Sequence, residues 1–264
     1  MKTLANDWFQ PGAWPLLCLT VDKRSDLLRD LRARLSGGMG FRVATMNLDH
    51  VVKLRKDEAF RNAYAAHSHV TADGRPIVWL SALAGRPVDL VTGSDLVLPF
   101  AALCAETDTP VALVGSTPEV LEKAAERLRA RFEGLNVVAR ISPPMGFDPT
   151  GPAADRITEE LARSGARACF VALGAPKQEV FSAHAMRRLP SMGFVSVGAG
   201  LDFIAGAQPR APRLMRAMAL EWAWRLASNP RRMSGRYAAC ASVLPALAQA
   251  ALNFRFGLRE RSKQ

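Results

Sequence analysis

The sequence has no pair of cysteines close enough together to form a metal-binding motif. Cys18, Cys104, Cys169 and Cys240 are widely scattered. That spacing argues against a zinc ribbon or a small disulfide-stapled domain and points to buried free thiols in a reducing compartment. There is no Asp-x-Asp pair to clamp a divalent ion on a diphosphate, and no Gly-x4-Gly-Lys-Ser/Thr phosphate loop. His67 and His69 form a His-x-His, but nothing beside them completes a ligand set, so no metal site is expected. Internal repeats and low-complexity segments are absent. The longest uncharged span, residues 237–254, is interrupted by Ser242, Pro245, Gln249 and Asn253, and is a poor candidate to cross a bilayer. Pro11 and Pro15 break the first apolar run and Asp7 precedes it, so no secretory signal is expected.

What is present is an ordinary globular composition. The 264 residues are 49% hydrophobic and 22% charged, enough for one large domain or two small ones. The net charge of +11 is unevenly placed. Residues 206–264 hold ten Arg and one Lys against two Glu, leaving the preceding 205 residues near neutrality at +2. This asymmetry divides the chain into an α/β body, 1–205, and a basic helical appendage, 206–264, with an anionic partner expected for the appendage. Its arginines are interleaved with apolar helix faces, including Trp222 and Trp224. That suits an anionic membrane surface better than nucleic acid. The same tryptophans could equally serve to dock the tail on the body.

Along the body, short apolar runs alternate with helix-like segments. Strands are expected at residues 41–46, 69–71, 111–114, 137–141, 169–173 and 194–197, each closed by a small or polar turn. Helices are expected at 26–35, 51–66, 77–84, 96–104, 118–132, 153–163 and 178–188. Ser-Thr-Pro-Glu at 116–119 is a helix start, with a hydroxyl cap followed by proline in the first turn. Such alternation predicts a Rossmann-like, mostly parallel sheet flanked by helices. In the tail, helices are expected at 214–227 and 237–254, separated by Asn229-Pro230-Arg231-Arg232.

Ligands of such sheets bind beyond the carboxyl ends of the strands. Two turns there are rich in small residues: Gly174-Ala175-Pro176, leading into Lys177-Gln178-Glu179, and Gly198-Ala199-Gly200, leading into Asp202. Glycine lets a ligand approach the backbone, and a following helix N-terminus favours phosphate. Gly115 and Ser116 end another strand. Asp202 reads as a ribose ligand or as a turn residue; Gly-x-Gly alone is weak evidence for a dinucleotide. Asp73, between Ala72 and Gly74 at a strand end, reads as a general base, or as a helix cap or turn former. If a diphosphate binds, Arg, Lys and backbone N–H groups must neutralise it. Arg210, Arg213, Arg225, Arg231, Arg232 and Arg236 are the tail's candidates.

Seven segments, taken in order, carry a resemblance. They are Thr45-Met46-Asn47, Ala72-Asp73-Gly74, Val91 to Leu96 (VTGSDL), Gly174 to Glu179 (GAPKQE), Gly198 to Phe203 (GAGLDF) with Ala205-Gly206, Arg210-Ala211-Pro212, and Leu220-Glu221-Trp222 with Arg225. Over about residues 40–236 the chain resembles the WecG/TagA/CpsF glycosyltransferases, family 26. The resemblance implies an inverting, metal-independent transferase without a cofactor. It would move a sugar from a UDP-sugar to a polyprenyl-diphosphate-linked saccharide at the cytoplasmic face of the bacterial inner membrane, and it leaves a homo-oligomer open. Asp73 matches the family's proposed base and Thr45 a pocket threonine. Gln178 and Asp202 match nucleotide-side residues, a set we extend to Gly115, Ser116, Gly174, Pro176, Lys177 and Gly198. Asn47, Arg225, Arg232 and Arg236 are the candidates for the diphosphate and acceptor. Two positions depart from the family pattern: Thr71 where Asn is usual, and Leu90 where Arg is often found, with Arg75 and Arg86 the nearest substitutes.

Overall fold

A computed structural model of the chain describes residues 18–212, residue 215 and residues 221–257, with the backbone alone for Glu221, Arg225 and Arg232. Six strands, β1 (Phe41–Met46), β2 (His69–Ala72), β3 (Val111–Gly115), β4 (Val137–Ile141), β5 (Ala168–Ala172) and β6 (Gly193–Ser196), form one sheet in the order β2-β1-β6-β5-β3-β4. Every pairing is parallel. Helix α1 (Arg24–Ser36) precedes β1, and α2 (Leu48–Leu54) and α3 (Glu58–Ala66) lead to β2. Next come α4 (Arg75–Leu83) and α5 (Gly93–Glu106), then α6 (Pro118–Arg131), α7 (Pro152–Arg163) and α8 (Lys177–Ala185) in the following three crossovers. After β6 come α9 (Gly200–Ala205), α10 (Glu221–Ser228) and α11 (Pro230–Arg255).

Parallel strands covered on both faces are mostly apolar, with Arg42, Thr45, His69, Thr71 and Arg140 among the exceptions here, which is why the runs were readable. The two-residue period then divides each strand between two cores. In β5, Ala168, Phe170 and Ala172 face a core shared with α1, α5, α6 and α9. Cys169 and Val171 face one shared with α7 and α8. On β1 and β2 the second face continues as a third cluster, where Ala44, Met46, Val70 and Ala72 meet Leu54, Phe60 and Ile77. All four cysteines are free and buried.

Two features differ from the sequence reading. The expected helix 51–66 is two helices, because Asp57 accepts a hydrogen bond from the Phe60 N–H at 2.9 Å and caps a new start. Asn229-Pro230 does not merely interrupt the tail: Pro230 opens α11, where a missing N–H costs nothing. The tail packs on the body, an arrangement the sequence left open. Val243, Leu247 and Ala251 of α11 are buried in the third cluster with Met46 and Ile77. Burial of side chains such as Val243 and Leu247 contributes about 2 kcal/mol each. Met233–Arg255 is long and apolar enough to cross a membrane by length and composition, yet here one of its faces is docked on the body. Of the expected helix 214–227, only residue 215 and residues 221–227 are described, and Arg213 lies outside the described residues.

Gly40 sits where a Cβ would lie 2.0 Å from the Pro190 carbonyl oxygen, whereas Gly235, inside α11, has nothing within 4 Å. Gly40→Ala is expected to cost about 2–3 kcal/mol by overpacking. Gly235→Ala is expected to be neutral or to stabilise by up to about 1 kcal/mol through helix propensity. Urea unfolding midpoints of the two variants check the contrast; equal midpoints would show that the 38–41 turn can relax.

Candidate active site

Because all strands run the same way, the sequence-selected residues fall on one edge of the sheet. In strand order they are Asp73 after β2, Thr45 and Asn47 at the end of β1, Gly198 and Asp202 after β6, Gly174 to Gln178 after β5, and Gly115 and Ser116 at β3. At about 4.8 Å per strand, β2 to β3 spans roughly 19 Å.

At the β2 end, Thr45 pairs in register with Thr71, two residues before Asp73 and on the same face. Thr45 Oγ1 donates to Asp73 Oδ2 at 3.2 Å, and the Asp73 N–H donates to the Met46 carbonyl at 2.7 Å. The N-cap of α4 is Gly74 and not Asp73, so the cap reading of this acid does not describe the geometry. Beneath Thr45, the buried Tyr64 hydroxyl lies 3.3 Å from the Thr45 carbonyl and 2.5 Å from His50 Nδ1. Burial holds His50 down at about 3, so its ring is neutral, and pushes Tyr64 well above its ordinary range. Asn47 Oδ1 accepts from the His50 N–H at 3.0 Å and caps α2, which accounts for an Asn at that position without a ligand. Leu90, the departure noted above, lies beside β2 through a bridge to Ala72. Arg86 is turned toward Asp22 at 3.7 Å, while Arg75 stands exposed in the first turn of α4, two residues after Asp73.

At the β5 and β6 ends, Gly174 and Gly198 have φ of 69° and 54°, and an added Cβ would meet nothing within 4 Å at either. These glycines serve the turn and face open space, as a backbone cradle requires. Gln178 ties the two turns together. Its Oε1 accepts from the Gly198 N–H at 3.1 Å, and its Nε2 donates to Glu179 Oε1 at 2.7 Å. Pro176, the N-cap residue of α8, follows a cis peptide bond, and Lys177 is exposed at the helix start. Ser116 donates to Asp202 Oδ1 at 2.9 Å and so joins the β3 and β6 loops. Gly115 has a packing reason of its own: a Cβ there would lie 2.3 Å from the Ala172 carbonyl oxygen on β5.

Among the described residues, the tail reaches this edge through Arg210 and Arg236. Arg210 binds Asp95 Oδ1 at 2.6 Å and Ser94 Oγ at 3.1 Å at the start of α5. Arg236 lies 2.9 Å from Asp49 in α2. Arg231 is exposed, and the side chains of Arg225 and Arg232 lie outside the described residues. Among the described residues no cluster of His, Cys, Asp and Glu has metal-holding geometry.

Four residues of this edge were not singled out from the sequence. Tyr64 left no pattern beyond an apolar helix position. Asp49 and Lys53 left one, an acid followed four residues later by a lysine, which marks a helical ion pair. Glu179 stood within the Gly174 to Glu179 motif with no role assigned. It is fully buried, Oε2 lacks a hydrogen-bond partner, and burial pushes its carboxyl up to about 7.

The fold is thus a parallel α/β sheet that carries a hydroxyl-supported carboxylate at one end of its carboxyl edge and two open glycine turns further along. The chain belongs to the glycosyl transferase WecG/TagA/CpsF family, whose model matches residues 14–259. It is accordingly a glycosyltransferase of cell-surface polysaccharide synthesis, working between a sugar nucleotide and a saccharide acceptor.

Glu179 makes a testable statement about stability. Its folded pKa lies above the ordinary 4.5, so the fold favours the neutral acid. That stabilisation is complete below about 4.5 and is lost as pH rises through about 7. Relative to Glu179→Gln, the wild-type chain is expected to lose up to about 3 kcal/mol between pH 5 and pH 8. His50 and His67, which burial pushes down to about 3 and about 4, act in the opposite direction but are common to both chains. Urea unfolding at the two pH values checks this; a pH-independent difference would mean that folding leaves the Glu179 pKa unchanged.

Proposed function

We propose that the chain transfers a sugar from a UDP-sugar to a polyprenyl-diphosphate-linked saccharide, with inversion at the anomeric carbon. The observation that carries this reading is the order of groups along the carboxyl edge. The Thr45–Asp73 pair stands at one end and the Gly198 and Gly174 turns further along, over a length suited to an extended sugar nucleotide.

In this mechanism the acceptor hydroxyl lies against Asp73, whose carboxylate takes its proton. Thr45 orients that carboxylate by donating to Oδ2. The acceptor oxygen forms its bond to the anomeric carbon while the bond from that carbon to the diphosphate oxygen breaks on the opposite face, and UDP leaves. Loop N–H groups, Lys177 and the tail arginines 225, 232 and 236 neutralise the departing diphosphate, without a metal ion or other cofactor. Asn47, fixed as a helix cap, presents its amide toward the sugar. Ser116 and Asp202 hold the nucleoside. Gln178, with both ends of its amide engaged, acts by keeping the two glycine turns in register. Exposed Trp222 and Arg231, with the basic charge of residues 206–264, support peripheral attachment to anionic lipid at the cytoplasmic face of the inner membrane.

A placed base typically contributes about 10²–10⁴-fold. Asp73→Asn is expected to lower turnover by that factor and leave UDP affinity within about twofold. The assay is UDP release across a panel of UDP-sugars with a short-chain polyprenyl-diphosphate saccharide; near-normal turnover would remove Asp73 as the base. The full chain is also expected to co-sediment with anionic vesicles in a salt-sensitive way and not with zwitterionic ones. Equal binding to both would overturn the charge-based part of this attachment.

A further inference from the structure

Asp49 is a nearly buried acid at the β1 end of the edge, and its Oδ2 is shared by two cations. Lys53 Nζ lies 2.8 Å from it and Arg236 Nη2 lies 2.9 Å from it. Burial pushes this carboxyl up, but Lys53 and Arg236, both at ion-pair distance, more than offset that, so it stays ionised. Lys53 does not stop at Asp49. Its ammonium also donates to the carbonyl of Ala175 at 3.0 Å, in the turn that opens α8. A continuous polar chain therefore runs from α11 through Asp49 and Lys53 to the 174–178 turn.

Apolar burial of Val243, Leu247 and Ala251 supplies most of the docking energy of α11 but does not fix where its basic first turns sit. The Asp49 carboxylate does. It also holds together two like charges that would separate without it, since Arg236 and Lys53 are each about a third exposed and have solvent to retreat into. Loss of any member leaves the others competing with water for their partners.

We propose that Asp49 is a positioning residue that couples the seating of the C-terminal helix to the conformation of the 174–178 turn, with Lys53 as the link. Helix α11 brings Arg236 onto Asp49. The same carboxylate keeps Lys53 on the Ala175 carbonyl, and the turn keeps the shape in which Gly174 borders open space. The consequence for substrate rests on the proposed function, in which that turn holds the donor; the coupling itself does not.

The test is hydrogen–deuterium exchange on the full-length chain without ligand. The Gln178 and Val180 amides, bonded to the Gly174 and Pro176 carbonyls, report on the turn. Arg236→Gln touches neither, yet it is expected to speed exchange over 177–181 several-fold, as is Asp49→Asn, with β3 unchanged as the control for global stability. Lys53→Met is expected to loosen the turn and leave residues 240–251 as protected as in wild type. If Arg236→Gln loosens α11 alone, or if Asp49→Asn leaves the turn at wild-type protection, the coupling is overturned. In the transfer assay, Asp49→Asn and Lys53→Met are expected to raise KM for the UDP-sugar about tenfold, with a smaller change in kcat. Faster turn exchange with an unchanged KM would leave the coupling standing and remove the donor from that turn.

Discussion

The uniform direction of the six strands is the constraint on which the site depends. A parallel ladder puts every strand's carboxyl end on one edge, and each crossover helix starts from that edge. Five of the six strands deliver a candidate residue there. The register between β1 and β2 then decides the chemistry at one end. Thr45 lies opposite Thr71, so Asp73, two residues further on, shares its face and reaches its hydroxyl. A slip of one residue would send Asp73 to the other face and break the pair.

Burial and pairing divide the ionisable groups of this edge into two kinds. Beneath Thr45, burial drives His50 and Tyr64 toward their neutral forms, and at the start of α8 it does the same to Glu179 against the partial relief of Gln178. Asp49, at the rim, is held ionised by Lys53 and Arg236 despite its own burial. Between the His50 value of about 3 and the Glu179 value of about 7 this polar layer is thus uncharged, and fixed charge is kept at the rim, where partners and solvent screen it. A buried layer of this kind costs less than buried ions and still pins the backbone by hydrogen bonds, as Tyr64 does beneath Thr45.

The elements were largely legible because both faces of the sheet are covered. Runs such as 111–114 and 169–173 are apolar for their whole length and are closed by turn residues. Strand order was not legible, since no local pattern states that β6 inserts between β1 and β5. The division of residues 51–66 was missed because the apolar period continues across the break, and only the Asp57 cap marks it. At the site, Asp73, Thr45 and the two glycine turns were readable as strand ends. Their mutual contacts join residues far apart in the chain and could be read only from the fold. Asp49 illustrates the limit: its helical partner Lys53 follows from spacing, whereas its tail partner Arg236 follows from nothing local.

The start of α11 runs against the usual rules for helix stability. The positive end of the helix dipole favours acids, yet no acid stands in the first turn, and Arg231, Arg232 and Arg236 occupy the first two turns. Among described contacts, one carboxylate, Asp49, answers this charge. Local rules broken without an evident gain in stability tend to mark function. Apolar burial of Val243, Leu247 and Ala251 holds the helix in place, so the unfavourable cluster can persist in the folded chain. An anionic ligand close to the start of α11 would relieve this concentration of positive charge. That relief is strongest for a group with two or more negative charges, which is the electrostatic case for a diphosphate at this position.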